Sequence, residues 1–262
     1  MGGMGLPGLW LFLAVVLAAS AALAIGTVWL AHKTVHRPGA EKETGSLSSF
    51  VTTVALVYGA LLGFTVVVAW EQFSSAEANV SNESSTLATM YRQTISLAPP
   101  EQETMRKLLR DYTSAVQAEW DRQGSDAASA TARDAITDMY RVLGGPQSPS
   151  TAPNPINAEV RDQLNLLASQ RNTRILDTKP RIPGLLWTGL LFGGVLLIAL
   201  IGFTRLDNRR NHTILSSAIA VLLGLLLFLI FWLDHPFGRQ LGVTPASFDY
   251  SVQVFDGVDK AT

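Results

Sequence analysis

Four long stretches of this chain carry no charge, and everything else is arranged between them. They run from Leu9 to Ala31, Phe50 to Trp70, Gly184 to Thr204 and Thr213 to Leu233. None contains Asp, Glu, Lys, Arg or His. At ~1.5 Å of rise per residue, about twenty helical residues cross the ~30 Å hydrocarbon core of a bilayer. The pattern predicts an all-α integral membrane protein with four transmembrane helices, at 9–31, 50–70, 184–204 and 213–233. Residues 1–8 are a short N-terminal segment, 32–49 a polar loop and 205–212 a basic loop. Residues 71–183 form an extramembrane helical domain, and 234–262 a C-terminal tail.

The second stretch organises the rest. Glu71 follows Trp70 directly, and no Gly or Pro lies between Gly63 and Pro99. One helix is therefore expected to leave the bilayer and continue to Pro99-Pro100, coupling what sits in the membrane to what sits outside it. Val57, Leu61, Phe64 and Val68 recur at spacings of four and three and lie on one face, with Glu71 in register at the end. Gly59 and Gly63 form a G-x-x-x-G pair, as do Gly189 and Gly193 in the third span, and such pairs admit close helix packing. Within the first span, Ala19-Ser20-Ala21 resembles a signal-peptide cleavage site. A basic leader is missing and the apolar run reaches Leu30, so a span is expected, anchored by Trp10 and Trp29.

The middle of the chain changes period and polarity. Met105, Leu108, Leu109, Tyr112, Val116 and Trp120 form one apolar helical stripe, which Gly124 stops. Ile136, Met139, Tyr140 and Leu143 form another, with Asp126 as its cap. After the loop from Gly144 to Pro155, Asn154-Pro155 suits a cap and first turn for a helix carrying Ile156, Val160, Leu164 and Leu167. Val243-Thr244-Pro245 starts a short amphipathic helix with Phe248, Val252 and Phe255 on its face, and the tail after Asp256 is expected to fray.

Composition narrows the function. The 262 residues carry a net charge of −1, a near-neutral balance that gives no argument for nucleic acid. With no Cys, thiol catalysis, disulfides and iron–sulfur sites are excluded. Spans without ionisable residues argue against proton relays and ion-coupled transport. The carboxylates of the helical domain read as mostly a solvated face, with no spacing that singles out an acid–base pair, and Asp234-His235 as a cap and turn. His32, His36 and His212 share one membrane face, which is too sparse a set for an expected metal site. Neither an enzyme nor a cofactor is expected. The loops hold Lys33, Arg37, Lys42, Arg205, Arg209 and Arg210, against Arg171, Arg174, Lys179, Arg181 and Arg239 on the other side. A difference of one residue leans towards cytoplasmic loops and leaves orientation open.

Several runs carry a resemblance. They are Tyr58-Gly59-x-x-Leu62-Gly63-Phe64, Ala69-Trp70-Glu71-Gln72-Phe73 with Ala76 and Glu83, and Arg181-Ile182-Pro183-x-Leu185-x-Trp187. Leu233-Asp234-x-Pro236-Phe237 and Val243-x-Pro245-x-x-Phe248 complete the set. In order and coverage the chain resembles the bacterial bestrophin-like family. Bestrophins proper are homopentameric anion channels whose second span lines the pore with a hydrophobic constriction, and whose helical domain extends the conduit in the cytosol. The resemblance implies a pore helix at 50–70, a constriction at Phe64, a homo-oligomer and a cytoplasmic domain in a bacterial inner (plasma) membrane protein. One departure bears on selectivity. Where bestrophins proper carry an Arg- and Asn-containing run, this chain reads VVVAWEQFSSA. A ring of Glu71 would repel anions and attract cations. Two functions are thus expected to compete: an ion channel with Val57, Leu61, Phe64, Val68 and Glu71 along its pore, and a non-conducting membrane anchor whose helical domain binds a partner. The bilayer, further copies of the chain and inorganic ions are the expected partners, and nucleic acid is not.

Overall fold

A computed structural model describes residues 6–34, 44–121, 126–144, 155–204, 208–237 and 242–261. The turn expected at Pro38-Gly39, His36, the stop at Gly124, and the loop residues 145–154 with the cap Asn154 lie outside them. Within the described residues the helices are α1 (Leu6–Thr34), α2 (Thr44–Gln93), α3 (Pro99–Asp121), α4 (Asp126–Leu143), α5 (Pro155–Asp177), α6 (Gly184–Phe203), α7 (Arg209–Leu233) and α8 (Ala246–Ala261). Of these, α1, α2, α6 and α7 are long and apolar enough to cross a membrane. The chain divides into two compact units. A membrane unit comprises Met4–Phe73 and Pro180–His235, and a helical unit comprises Ser74–Lys179 and Pro236–Thr262. The unbroken helix α2 contributes to both.

In the membrane unit, small residues decide where helices touch. A Cβ on Gly224 of α7 would collide with Ser20 of α1, and one on Gly202 of α6 with Thr27 of α1. Gly193 and Gly194 of α6 leave room for the ring and hydroxyl of Tyr58. Tyr58 Oη donates to the Leu190 carbonyl at 2.7 Å, satisfying a polar group that lipid could not. Ala24, Leu62, Ala69, Leu190, Ala220 and Ile230 fill the contacts between these points, each almost fully buried.

In the helical unit the predicted stripes turn inward. Met105, Leu109, Tyr112 and Val116 of α3 are fully buried, as are Met139 of α4 and Val160, Leu164 and Leu167 of α5. The helix entering from the second span ends at Gln93, short of Pro99, in a single 3-10 turn over Thr94–Ser96. There Thr94 Oγ1 donates to the Tyr91 carbonyl at 2.7 Å.

The tail departs from expectation. It stays helical to Ala261, because α8 is fastened along its length. Ser251 Oγ donates to the Ser84 carbonyl at 2.8 Å. Phe255 stacks on Tyr91 at 4.2 Å between ring centroids. Asp259 takes hydrogen bonds from Tyr91 Oη at 2.7 Å and Arg110 Nη2 at 2.8 Å, and pairs with Arg106 at 3.1 Å.

Candidate functional site

The two faces of the membrane-spanning part of α2 differ sharply. Val51, Tyr58, Leu62, Thr65 and Ala69 are buried within the chain. The opposite positions are bare: Val57 is 66% exposed, Leu61 46%, Phe64 75% and Val68 37%, and Glu71 is exposed too. Leu56 and Val67 widen this bare face. A phenyl ring three-quarters exposed on a helix whose other side is tightly packed awaits lipid, another copy or a pore. Glu71 is the stripe's ionisable residue.

The four glycines singled out above fall in different places. Gly193 lies against the Tyr58 ring. At Gly59, Gly63 and Gly189 a Cβ would meet no atom of the described residues within 4 Å beyond its own stretch of helix backbone. Gly194, Gly202 and Gly224 make the other intimate contacts. No G-x-x-x-G spacing announced Gly202 or Gly224, whose roles are set by Thr27 and Ser20 across the interface.

Asp234 does more than cap. Its N–H closes α7 on the Ile230 carbonyl at 2.9 Å. Its Oδ1 accepts from the backbone N–H of both Arg181 and Ile182 at 3.0 Å, and its Oδ2 from Trp187 Nε1 at 3.3 Å. Two of the sequence runs quoted above, around Arg181-Ile182-Pro183 and Leu233-Asp234, thus meet on one carboxylate. It satisfies amides that the approach to α6 would otherwise leave bare. In the helical unit, Val243-x-Pro245-x-x-Phe248 meets α3, where Trp120 Nε1 donates to the Val243 carbonyl at 3.1 Å and its ring lies 5.8 Å from Phe248.

Most carboxylates of the helical unit are solvated, as Glu77, Glu103, Asp111 and Glu159 are, but Glu83 and Glu119 belong to a buried charge network. Glu83 is fully buried and Glu119 is 9% exposed. Arg174 Nε donates to Glu83 Oε2 at 2.7 Å and its Nη1 to Glu119 Oε2 at 3.0 Å. Arg171 holds Glu119 Oε1 at 3.1 Å. Tyr112 Oη donates to Glu83 Oε1 at 2.5 Å, and Trp120 lies under the Arg174 guanidinium at 5.0 Å. Burial, then the charge of Glu83, push the Tyr112 hydroxyl well above its usual range, so it stays a donor. Burial opposes the charge on Arg174, but Glu83 outweighs it and the guanidinium is held protonated. On α5 the apolar stripe Val160, Leu164, Leu167 continues in step as Arg171 and Arg174. That step was the legible signal: charged residues at core register. Both arginines are spent on these pairs and say nothing about membrane-flanking charge.

On α1 and α7, His32 and His212 come together with ring centroids 6.0 Å apart, and His212 Nε2 lies 3.2 Å from the Ile201 carbonyl. Within the described residues no cluster of three or more His, Asp or Glu side chains is arranged to hold a metal.

Comparison with known proteins agrees with this architecture. A bacterial bestrophin homolog from Klebsiella pneumoniae superposes with a TM-score of 0.70 at 15% identity, over 92% of this chain and 96% of that one. A variant of the Klebsiella pneumoniae homolog gives 0.72 at 13% identity, over 94% and 98%. At such identity the likeness is one of fold. No curated protein sequence matches the chain significantly. The bestrophin-like domain profile matches residues 18–248, nearly the whole chain, and on that ground the chain belongs to the bestrophin-like family of membrane proteins.

Proposed function

We propose that the chain is a subunit of a homo-oligomeric ion channel in the inner membrane of a bacterial cell. In this reading α2 of each copy lines the pore. Val57, Leu61, Phe64 and Val68 form a hydrophobic constriction that closes by shedding water, and Glu71 places a ring of carboxylates at its mouth. The observation that carries this reading is the two-faced α2: one side is packed to near-zero exposure, while the other leaves Phe64 bare at 75%. The resemblance to bestrophins, whose second span lines a pentameric pore, supplies the pentamer as the stoichiometry to test. Spans free of ionisable residues suit a passive pore rather than a coupled transporter. The Glu71 ring favours cations over anions.

The test is ion flux in liposomes for the wild type, Phe64→Ala and Glu71→Gln, with oligomeric state measured alongside in mild detergent. Flux that rises in Phe64→Ala, and cation preference that falls in Glu71→Gln, are expected. A folded, oligomeric protein with no flux in all three would overturn the proposal in favour of a non-conducting interaction protein.

A further inference from the structure

A groove of about 650 Å³ opens in the membrane unit between α1, α6 and α7. Phe12 and Val16 of α1, Leu191 and Val195 of α6, and Leu227 and Phe228 of α7 line it. Leu191 and Val195 at its rim are about half exposed, so it opens sideways from helices that cross a bilayer. Its polar end is formed by Trp187, Asp234 and His235, each within about a turn of where α6 begins or α7 ends. Water has few partners along such apolar walls. A void facing hydrocarbon forfeits the dispersion contacts that an apolar occupant would restore.

Size decides what kind of occupant fits. From Trp187 to Ile198 the α6 wall covers roughly 16 Å at ~1.5 Å per residue. That length is about one leaflet, half of the ~30 Å hydrocarbon core of a bilayer. Apolar walls of one leaflet's length, open to the side, match an extended hydrocarbon chain lying along the helices. The polar end suits a head group. Because a carbonyl can only accept, His235 Nδ1 donates to the Phe231 carbonyl at 3.0 Å, and Nε2 remains to meet a ligand. The Asp234 oxygens are already taken by the amides of Arg181 and Ile182 and by Trp187, so the acid demands no cation. Indole and imidazole at a span end are the side chains that sit at the head-group level of a bilayer.

We propose that this groove is a lipid site, holding the hydrocarbon of one glycerophospholipid per chain, with its head group at Trp187 and His235. The lipid completes the α1–α6–α7 packing and is retained when the surrounding bilayer is removed.

The test uses the full-length protein in detergent. Native mass spectrometry counts the phospholipids that remain per chain, for the wild type, Ala19→Phe and Val195→Phe, both substitutions placing a ring in the groove. In parallel, each protein with Trp187 as its sole tryptophan receives a few equivalents of phospholipid with brominated chains, and fluorescence quenching is read. One retained lipid in the wild type, lost from either plugged variant, and quenching reduced at least several-fold in that variant are the expected results. Equal retention and quenching in all three would overturn the proposal. So would a wild type that neither keeps phospholipid nor is quenched, or one whose lipid leaves as copies associate, which would make the groove a contact between subunits.

Discussion

Arg174 Nε donates to Glu83 Oε2 at 2.7 Å, and the two side chains are 4% and 0% exposed. A buried ion pair adds little net stability over apolar residues of the same shape, but breaking one is costly, because the surviving charge stays buried without its partner. Glu83→Ala and Arg174→Ala are each predicted to destabilise the helical unit by about 3–5 kcal/mol. Replacing both with apolar residues of similar volume is predicted to restore much of the loss. Denaturant melts of the four proteins check this, and single variants that melt like the wild type would contradict it.

The fastening of α8 is predicted to weaken in acid. Burial raises the Asp259 carboxyl, but hydrogen bonds from Tyr91 and Arg110 and the charges of Arg110 and Arg106 outweigh it and hold the group below its usual value. A lowered folded value means the contribution is present above the ordinary carboxylate range and lost as pH falls through the lowered one. Amide exchange in α8 is therefore expected to quicken relative to α3 as pH drops from 7 to 3. Asp259→Asn should remove most of that dependence, and a wild-type ratio of α8 to α3 exchange that does not change with pH would refute the account.

Tyr58 fills the space that Gly193 and Gly194 leave open, so Gly193→Ala sets a Cβ 2.7 Å from its ring. Overpacking of this kind costs about 1–3 kcal/mol and should lower the melting temperature of the protomer. Gly59→Leu and Gly63→Leu meet open space within the chain and should spare the protomer. If α2 is covered by other copies, these two variants should dissociate the oligomer, which light scattering in detergent reads directly.

Asp234→Ala is predicted to leave the amides of Arg181 and Ile182 without their acceptor, at about 1–3 kcal/mol each. Asp234→Asn keeps an acceptor oxygen and should fall between Ala and wild type. Thermal stability ranks the three, and Trp187 emission, freed from its partner, reports the site locally.

The spans, the unbroken α2 and the core stripes of α3 and α5 were legible because each follows from period and polarity alone. Met105, Leu109, Tyr112 and Val116 are an example: their spacing places them on one face before any neighbour is known. The charge network was legible only in half: Arg171 and Arg174 stand at core register on α5, but Glu83 and Glu119 look like any helix-surface carboxylates until those arginines arrive from a helix distant in sequence. The tail was misjudged for the same reason. Asp259 and Phe255 gain order from Arg110 and Tyr91. At the proposed pore, the spacing of Val57, Leu61, Phe64 and Val68 showed a shared face. Only the packed opposite side, with Tyr58 against α6, showed that this face is the one left uncovered.

The proposed pore is tested most directly by cysteine scanning, for which a chain with no cysteine needs no prior engineering. Single cysteines at Val57, Leu61, Phe64, Val68 and Glu71, and at the buried Leu62 and the α7 surface position Ile219 as controls, would be reconstituted in liposomes and treated with a water-soluble charged thiol reagent. Flux blocked at positions of the stripe, with the Glu71 site reacting fastest and both controls unaffected, is the predicted result. Flux that continues unchanged after modification along the whole stripe would contradict a pore lined by α2.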